Sequence, residues 1–218
     1  MVVTTQVTRK ERERLHRRTA MLQAAQTVFA ERGYSRATLD EVAQRAEFGK
    51  GTLYNYFPGG KEEILLAVFD QVFGEIEAHI IHAFNRPAAS FREQMQRYVE
   101  EALHFFKERE ALFMILVKEA HRMAFSEDEE KAGYFVKQRN RLVTALVEPL
   151  EAAMARGDIR ERSPETVAHL ILGLVELMQM HISIECQHDT MDGPPPTQAE
   201  GAALLTALLF EGLLPSSK

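Results

Sequence analysis

Residues 38–61, TLDEVAQRAEFGKGTLYNYFPGGK, constrain the fold of this chain more than any other stretch. Thr38 and Glu41 have the S/T-x-x-E spacing of a capping box, in which side chains satisfy backbone N–H groups that a helix start leaves free; a helix is therefore expected from Leu39. Leu39, Val42, Ala43 and Ala46 recur on one face at helical spacing. After a tight connection, Gly49 opens a second short helix, which Pro58-Gly59-Gly60 ends. Only Leu53 and Phe57 on it can point inward. Lys50, Gly51, Thr52, Tyr54 and Asn55 are left to face elsewhere. A helix this short and polar cannot be a core element by itself. Its groups suit base edges and phosphate oxygens, as on the second helix of a helix-turn-helix.

Upstream, Leu15, Thr19, Leu22, Ala25, Gln26 and Phe29 trace a mainly apolar stripe on a longer helix that Gly33 should end. The segment before it carries Arg9, Lys10 and Arg12 alternating with Glu11 and Glu13. It reads either as an extension of that helix or as a basic arm that reaches phosphates or a minor groove. Downstream, Ile64, Leu65, Val68, Phe69, Val72, Phe73 and Ile76 mark a fourth helix.

From about Arg18 to Ile64 the sequence resembles the tetracycline-repressor (TetR) family of transcriptional regulators. The resemblance rests on AAQTVFAERGYSRATLDEVAQRA, KGTLYNYF and KEEI. Three positions depart from the family pattern. Glu47 stands where a turn glycine is usual; if that position has positive φ, the strain is roughly 1 kcal/mol. Gly49 stands where Ser or Thr is usual, so the cap has no side-chain oxygen. PGGKEE, which contains Lys61, is one residue longer than the usual link to the fourth helix.

Charge divides the chain. Residues 1–61 hold eleven Lys/Arg and six Asp/Glu, net +5, whereas the whole chain is −6, so residues 62–218 carry −11. A basic head on an acidic body meets a polyanion through one end only. At 218 residues the chain has room for a small head and a larger helical domain, expected at 1–62 and 63–218. One cysteine, Cys186, excludes an internal disulfide framework and fits a reducing cytoplasm. The basic start has no apolar stretch behind it, and no apolar run is read as approaching the ~20 residues of a membrane span, so a cytoplasmic protein without a membrane partner is expected.

The body reads as helices throughout, giving an all-α fold of about nine. Capping boxes are expected at Ser90/Glu93 and Ser126/Glu129, a kink or local unwinding at Pro149, and a helix start at Ser163-Pro164. The last two helices, about Pro164–Gln187 and Thr197–Leu213, are apolar on more than one face. A terminal helix of that kind needs burial from both sides, most simply by a second copy; Leu170, Leu174, Leu177, Leu204, Leu205, Leu208 and Leu209 are the expected interface. The family resemblance implies the same homodimer. The alternative is that these helices are central in a monomeric core.

Between head and dimer helices, Phe and Met residues accumulate. The resemblance implies an inducer pocket there, and its make-up suits an apolar or aromatic small molecule. The expected lining is His104, Phe105, Phe113, Met114, Val117, His121, Phe125, Phe135, Met178 and His181. Phe and Met at helical spacing are equally what a plain core contains.

His181, Glu185 and His188 share a helical face beside Cys186, which could hold zinc or nickel; His79 and His82 form a weaker pair. Helix-face histidines are usually structural or solvated, so neither metal nor cofactor is expected. Gly49-Lys50-Gly51-Thr52 lacks phosphate-loop spacing, and no G-x-S-x-G or C-x-x-C occurs, so no enzyme is expected. The expectation is thus a dimeric, ligand-responsive regulator, most simply a repressor, on a palindromic duplex operator. Thr38 (through its backbone), Tyr54, Tyr56 and Lys61 would hold phosphates, with Gly49 and Gly51 allowing close approach. Lys50, Thr52 and Asn55 would meet base edges. By family resemblance, the effector would respace the two heads by tilting the fourth helix. A metal-responsive regulator and a ligand-free DNA-binding protein are the alternatives.

Overall fold

The computed structural model describes residues 8–188 and 196–211. They form nine helices: α1 (Arg9–Arg32), α2 (Leu39–Arg45), α3 (Lys50–Tyr56), α4 (Gly60–Asn85), α5 (Phe91–Glu108), α6 (Glu110–Ala124), α7 (Glu129–Arg156), α8 (Pro164–His188) and α9 (Gln198–Glu211). No strand occurs among the described residues.

The helix starts follow from local chemistry. Thr8 and Glu11 form a capping box that starts α1 at Arg9, so the basic segment is, from there on, the first turns of a long helix. Its stripe is narrower than expected: Met21, Leu22, Ala25, Val28 and Phe29 are buried, but Leu15 is exposed. Thr38 and Glu41 close the expected box on α2. Ser90 caps α5, while the Glu93 carboxylate accepts from the Ala89 N–H instead of completing the box. At α7 the expected box is replaced: Asp128 caps the helix, and the Ser126 hydroxyl donates back to the Met123 carbonyl. Pro149 does not unwind α7, which runs unbroken to Gly157 in the left-handed region.

Two hydrophobic cores result. The head core joins Met21, Phe29, Val42, Leu53, Phe57 and Ile64 to Leu112, Leu116 and Met123 of α6 and Phe135 of α7. The body core is built on α5, α7, α8 and α9 around Tyr98, Leu103, Leu146 and Val175. Ile64, Leu65 and Phe69 of α4 thus share the head core, and α1 packs directly against α6. Polar rungs fasten α4 to α7: Asp70 accepts from Tyr134 Oη at 2.9 Å and Gln138 Nε2 at 2.7 Å, and Arg141 pairs with Glu77.

α9 packs chiefly on α5. Leu205 is consequently buried inside its own chain at 6 % exposure, and Leu208 and Leu209 are half-buried; Leu205 is a core residue, not part of an outer face. Leu170 and Leu177 on α8 and Leu204 on α9, at 59 %, 57 % and 64 % exposure, are among the exposed apolar residues, with Leu174 of α8 half-buried. One expectation is corrected: over Pro164–Ile184, α8 is by length and composition apolar enough to cross a membrane. The same residues include Leu170 and Leu177, so an unpartnered protein surface explains the stretch equally well.

Candidate nucleic-acid interface and ligand cavity

α2 and α3 are held at an angle by a turn with an uncommon backbone. Glu47 has φ 59, and among the described residues it is the sole non-glycine with positive φ. The turn is fixed by backbone bonds, Glu47 N–H to the Gln44 carbonyl at 3.1 Å and Phe48 N–H to the Ala43 carbonyl at 3.0 Å. Gly49 starts α3 with no side-chain cap, as expected from its composition. Leu53 and Phe57 bury the inner face. Gly49, Lys50, Gly51, Tyr54 and Asn55 are exposed, and Thr52 and Tyr56 half-buried, so one continuous polar surface results. α1 borders it: the Arg14 guanidinium lies 5.9 Å from the Tyr56 ring centre and that of Arg18 5.1 Å from Phe57.

Three of the sequence-picked groups are already engaged. Lys61 Nζ donates to the carbonyls of Tyr34, Ser35 and Ala37 at 3.0, 3.2 and 3.0 Å and sits over the Tyr34 ring. An ammonium has three donors, so Lys61 here ties the α1–α2 connection to α4, and a free phosphate-binding role is not what the structure shows. The Thr38 N–H donates to Glu41 Oε2 at 2.9 Å, so it too is occupied. This contact and the Thr38 hydroxyl hold the Glu41 carboxyl below its ordinary range. Lys50 Nζ pairs with Asp40 at 2.9 Å, an exposed contact that a stronger anion can displace.

The second feature is a cavity of about 330 Å³ enclosed by α4, α5, α6, α7 and α8, within the range of small-molecule sites. Its wall is mainly aromatic and aliphatic. Phe105, Phe113, Val117, His121, Phe125 and Phe135 all line it. The other four expected lining residues lie elsewhere. His104 is exposed and paired with Glu108; Met114 packs into the body core; Met178 lies against the α9 backbone at Gly201; His181 faces outward. The reason is helical phase: α5 turns Phe105 inward and so turns His104 out, and α8 presents Leu172, Val175 and Glu176 to the cavity instead of Met178 and His181. Residues not expected complete the wall: Phe69, Val72, Phe73, Ile76 and His79 from α4, Tyr98 and Ala102 from α5, and Arg139 from α7. The α4 stripe was legible as apolar, but nothing in it distinguishes a core face from a cavity face.

Polar groups on the wall are few. His121 Nδ1 donates to the Val117 carbonyl at 2.8 Å. His79 meets the Phe105 ring edge-on at 5.1 Å. Arg139 Nη1 pairs with Glu176 at 3.1 Å, and Nη2 donates to the His169 carbonyl at 3.3 Å. No cluster of three metal-binding side chains occurs among the described residues; the side chains of Glu185, Cys186 and His188 lie outside them.

Residues 21–68 match the family model for bacterial regulatory proteins of the tetR family. The chain is 30 % identical over 175 residues to the HTH-type transcriptional regulator BetI of Rhizobium meliloti strain 1021, covering 78 % of this chain and 82 % of that protein. The chain belongs to the TetR family. A further relative, the uncharacterized HTH-type transcriptional regulator YhgD of Bacillus subtilis strain 168, is 27 % identical over 199 residues, 91 % of this chain and 97 % of that one. Among solved structures, FadR of Bacillus subtilis in complex with stearoyl-CoA superposes with TM-score 0.73 at 18 % identity, over 90 % of this chain and 99 % of that one. That likeness concerns the fold. As a TetR-family protein the chain is a DNA-binding transcriptional regulator, and its α2–α3 surface is the helix-turn-helix.

Proposed function

We propose that this TetR-family protein is a homodimeric repressor acting in the bacterial cytoplasm, released from a palindromic operator by an apolar effector with an acyl chain. It is a regulator, not an enzyme. The observation that carries the reading is where the cavity lies. Its wall draws Phe69, Leu116 and Phe135 from the head core and Tyr98, Phe105 and Leu142 from the body core. A molecule filling it presses on both at once.

Two helices then reach the DNA-binding surface. α4 carries cavity residues and continues into the head core through Ile64 and Leu65. α6 turns Phe113, Val117 and His121 toward the cavity and Leu112 and Met123 toward the head, against α1. Coupling therefore does not run through α4 alone. Tyr54, Asn55, Thr52 and Lys50 would contact the operator, with Lys50 exchanging Asp40 for a base edge or phosphate. The exposed Leu170, Leu177 and Leu204 would be covered by a second copy, which sets the spacing of two heads. The acyl class is suggested by the apolar wall and by the stearoyl-CoA bound to the FadR neighbour.

The test uses an operator selected from a random duplex library and a series of acyl-CoA thioesters. Operator affinity should fall by a factor of about 5–150, and by reciprocity the operator should weaken acyl-CoA binding equally. Narrowing the cavity with Val117→Trp should abolish the response to added thioester. Thioesters that bind without changing operator affinity would refute the proposal.

A further inference from the structure

Tyr98 is 2 % exposed, stands in the wall of the cavity, and its phenol has no hydrogen-bond partner among the described residues. Its Oη is not among the fully enclosed unpartnered oxygens of the described residues, so it is reached from the cavity and open to a ligand. Most polar side chains elsewhere in the interior are paired, Tyr134 with Asp70 and Gln179 with Ser183, although Thr206 Oγ1 is enclosed without a partner. Burial pushes the Tyr98 phenol well above the usual tyrosine range, with the Arg139 charge pulling modestly the other way. The group is therefore a proton donor throughout the physiological range, and Arg139 is near enough to be felt.

We infer that Tyr98 is the hydrogen-bond donor for a neutral carbonyl oxygen of the effector, an ester or thioester and not a free carboxylate. This deepens the cavity reading above and rests on it. Charge decides between the two oxygen types. Arg139, the cation of the wall, is already neutralised by Glu176 at 3.1 Å and shares its other arm with the His169 carbonyl. A carboxylate entering this apolar space would have to compete with Glu176 for the same guanidinium, or meet only the two histidines of the wall, His79 packed on the Phe105 ring and His121 held by the Val117 carbonyl. An acyl carbonyl brings no charge. It needs one donor, and the Tyr98 hydroxyl is one that no protein hydrogen bond engages. The chain attached to the carbonyl then lies against Phe105, Phe113 and Leu142.

The experiment compares methyl octanoate, octanoate and octane in competition with a cavity-bound environment-sensitive dye, on the full-length protein and on Tyr98→Phe. The three probes share an apolar body and differ in the oxygen. The unaltered protein should bind the ester more tightly than the acid. Tyr98→Phe should weaken the ester about tenfold, the value of one hydrogen bond of about 1.4 kcal/mol, and change octane less than about twofold. Without ligand, Tyr98→Phe should melt at the same temperature or higher, since only an unpaired hydroxyl is lost. Equal losses for ester and octane would show that Tyr98 merely shapes the wall and overturn the inference. So would octanoate binding as tightly as the ester, or a lower melting temperature for empty Tyr98→Phe. If none of the three probes displaces the dye from either protein, the cavity reading itself fails along with this one.

Discussion

Phe29 in the head and Phe113 in the body are both buried phenylalanines, yet they sit in different kinds of core. Phe29 is fully enclosed, edge-on to Tyr34 at 5.4 Å, and takes no part in the cavity wall. Phe113 meets Phe106 at 4.4 Å on one side and the cavity on the other. The outer surfaces differ as well. The head shows water a polar face on α3, and the body shows it leucines on α8 and α9. A polar outer face suits a reader of DNA. The cavity, most of whose wall is body core, and the exposed leucines of the body are the two places that the proposed function fills, with a small apolar molecule inside and a second copy outside.

The largest effect should come from the exposed leucines. Leu177→Glu with Leu204→Glu places carboxylates where a second copy is to sit, without touching the interior of the chain. The cost of burying unpaired charge is several kcal/mol per ion, so the dimer dissociation constant should rise by more than about 1000-fold, roughly 4 kcal/mol. Sedimentation should report a folded monomer, with the helical signal retained. Leu205→Glu should instead disrupt folding, since Leu205 is enclosed by its own chain. A double variant that stays dimeric would mean that another face mediates assembly.

The cavity is tested by the two phenylalanines. Phe29→Ala should cost about 3–5 kcal/mol in urea denaturation, because a packed surrounding cannot collapse around the hole. Phe113→Ala should cost less, below about 3 kcal/mol, because part of its surface already lacks contacts to lose. Equal costs would indicate that Phe29 and Phe113 are packed alike.

How much of this was legible in the sequence varies with how local the cause is. Capping boxes, Gly33, Gly157 and Ser163-Pro164 act within a few residues, so the helix order and most helix ends could be read directly. Ser126 failed as a cap because Asp128, two residues on, offered its carboxylate to the Lys131 N–H. The polar face of α3 was legible for the same local reason. The cavity wall was not. Its members come from five helices, and a one-position difference of phase separates Phe105 from His104. Lys61 shows a further limit: residue type says that a lysine seeks oxygen, but only the fold shows that three carbonyls from 34, 35 and 37 supply it. Leu205 was misread because an all-round apolar helix does not reveal which side meets its own chain.

The smallest effect concerns the one strained point of the head. Glu47 holds φ 59 in the turn before α3, and its carboxylate forms no ion pair or hydrogen bond among the described residues. A side chain in that conformation costs roughly 1–2 kcal/mol. Glycine removes the clash but adds about 0.5–1 kcal/mol of freedom to the unfolded chain. Glu47→Gly should therefore stabilise the protein by a net of about 0–1.5 kcal/mol. Glu47→Gln removes the charge and keeps the Cβ, so its stability should not change, although both variants should bind DNA somewhat more tightly through loss of a negative charge beside α3. The pair separates backbone strain from electrostatics. A Glu47→Gly protein less stable than Glu47→Gln would mean that the head relaxes around this turn.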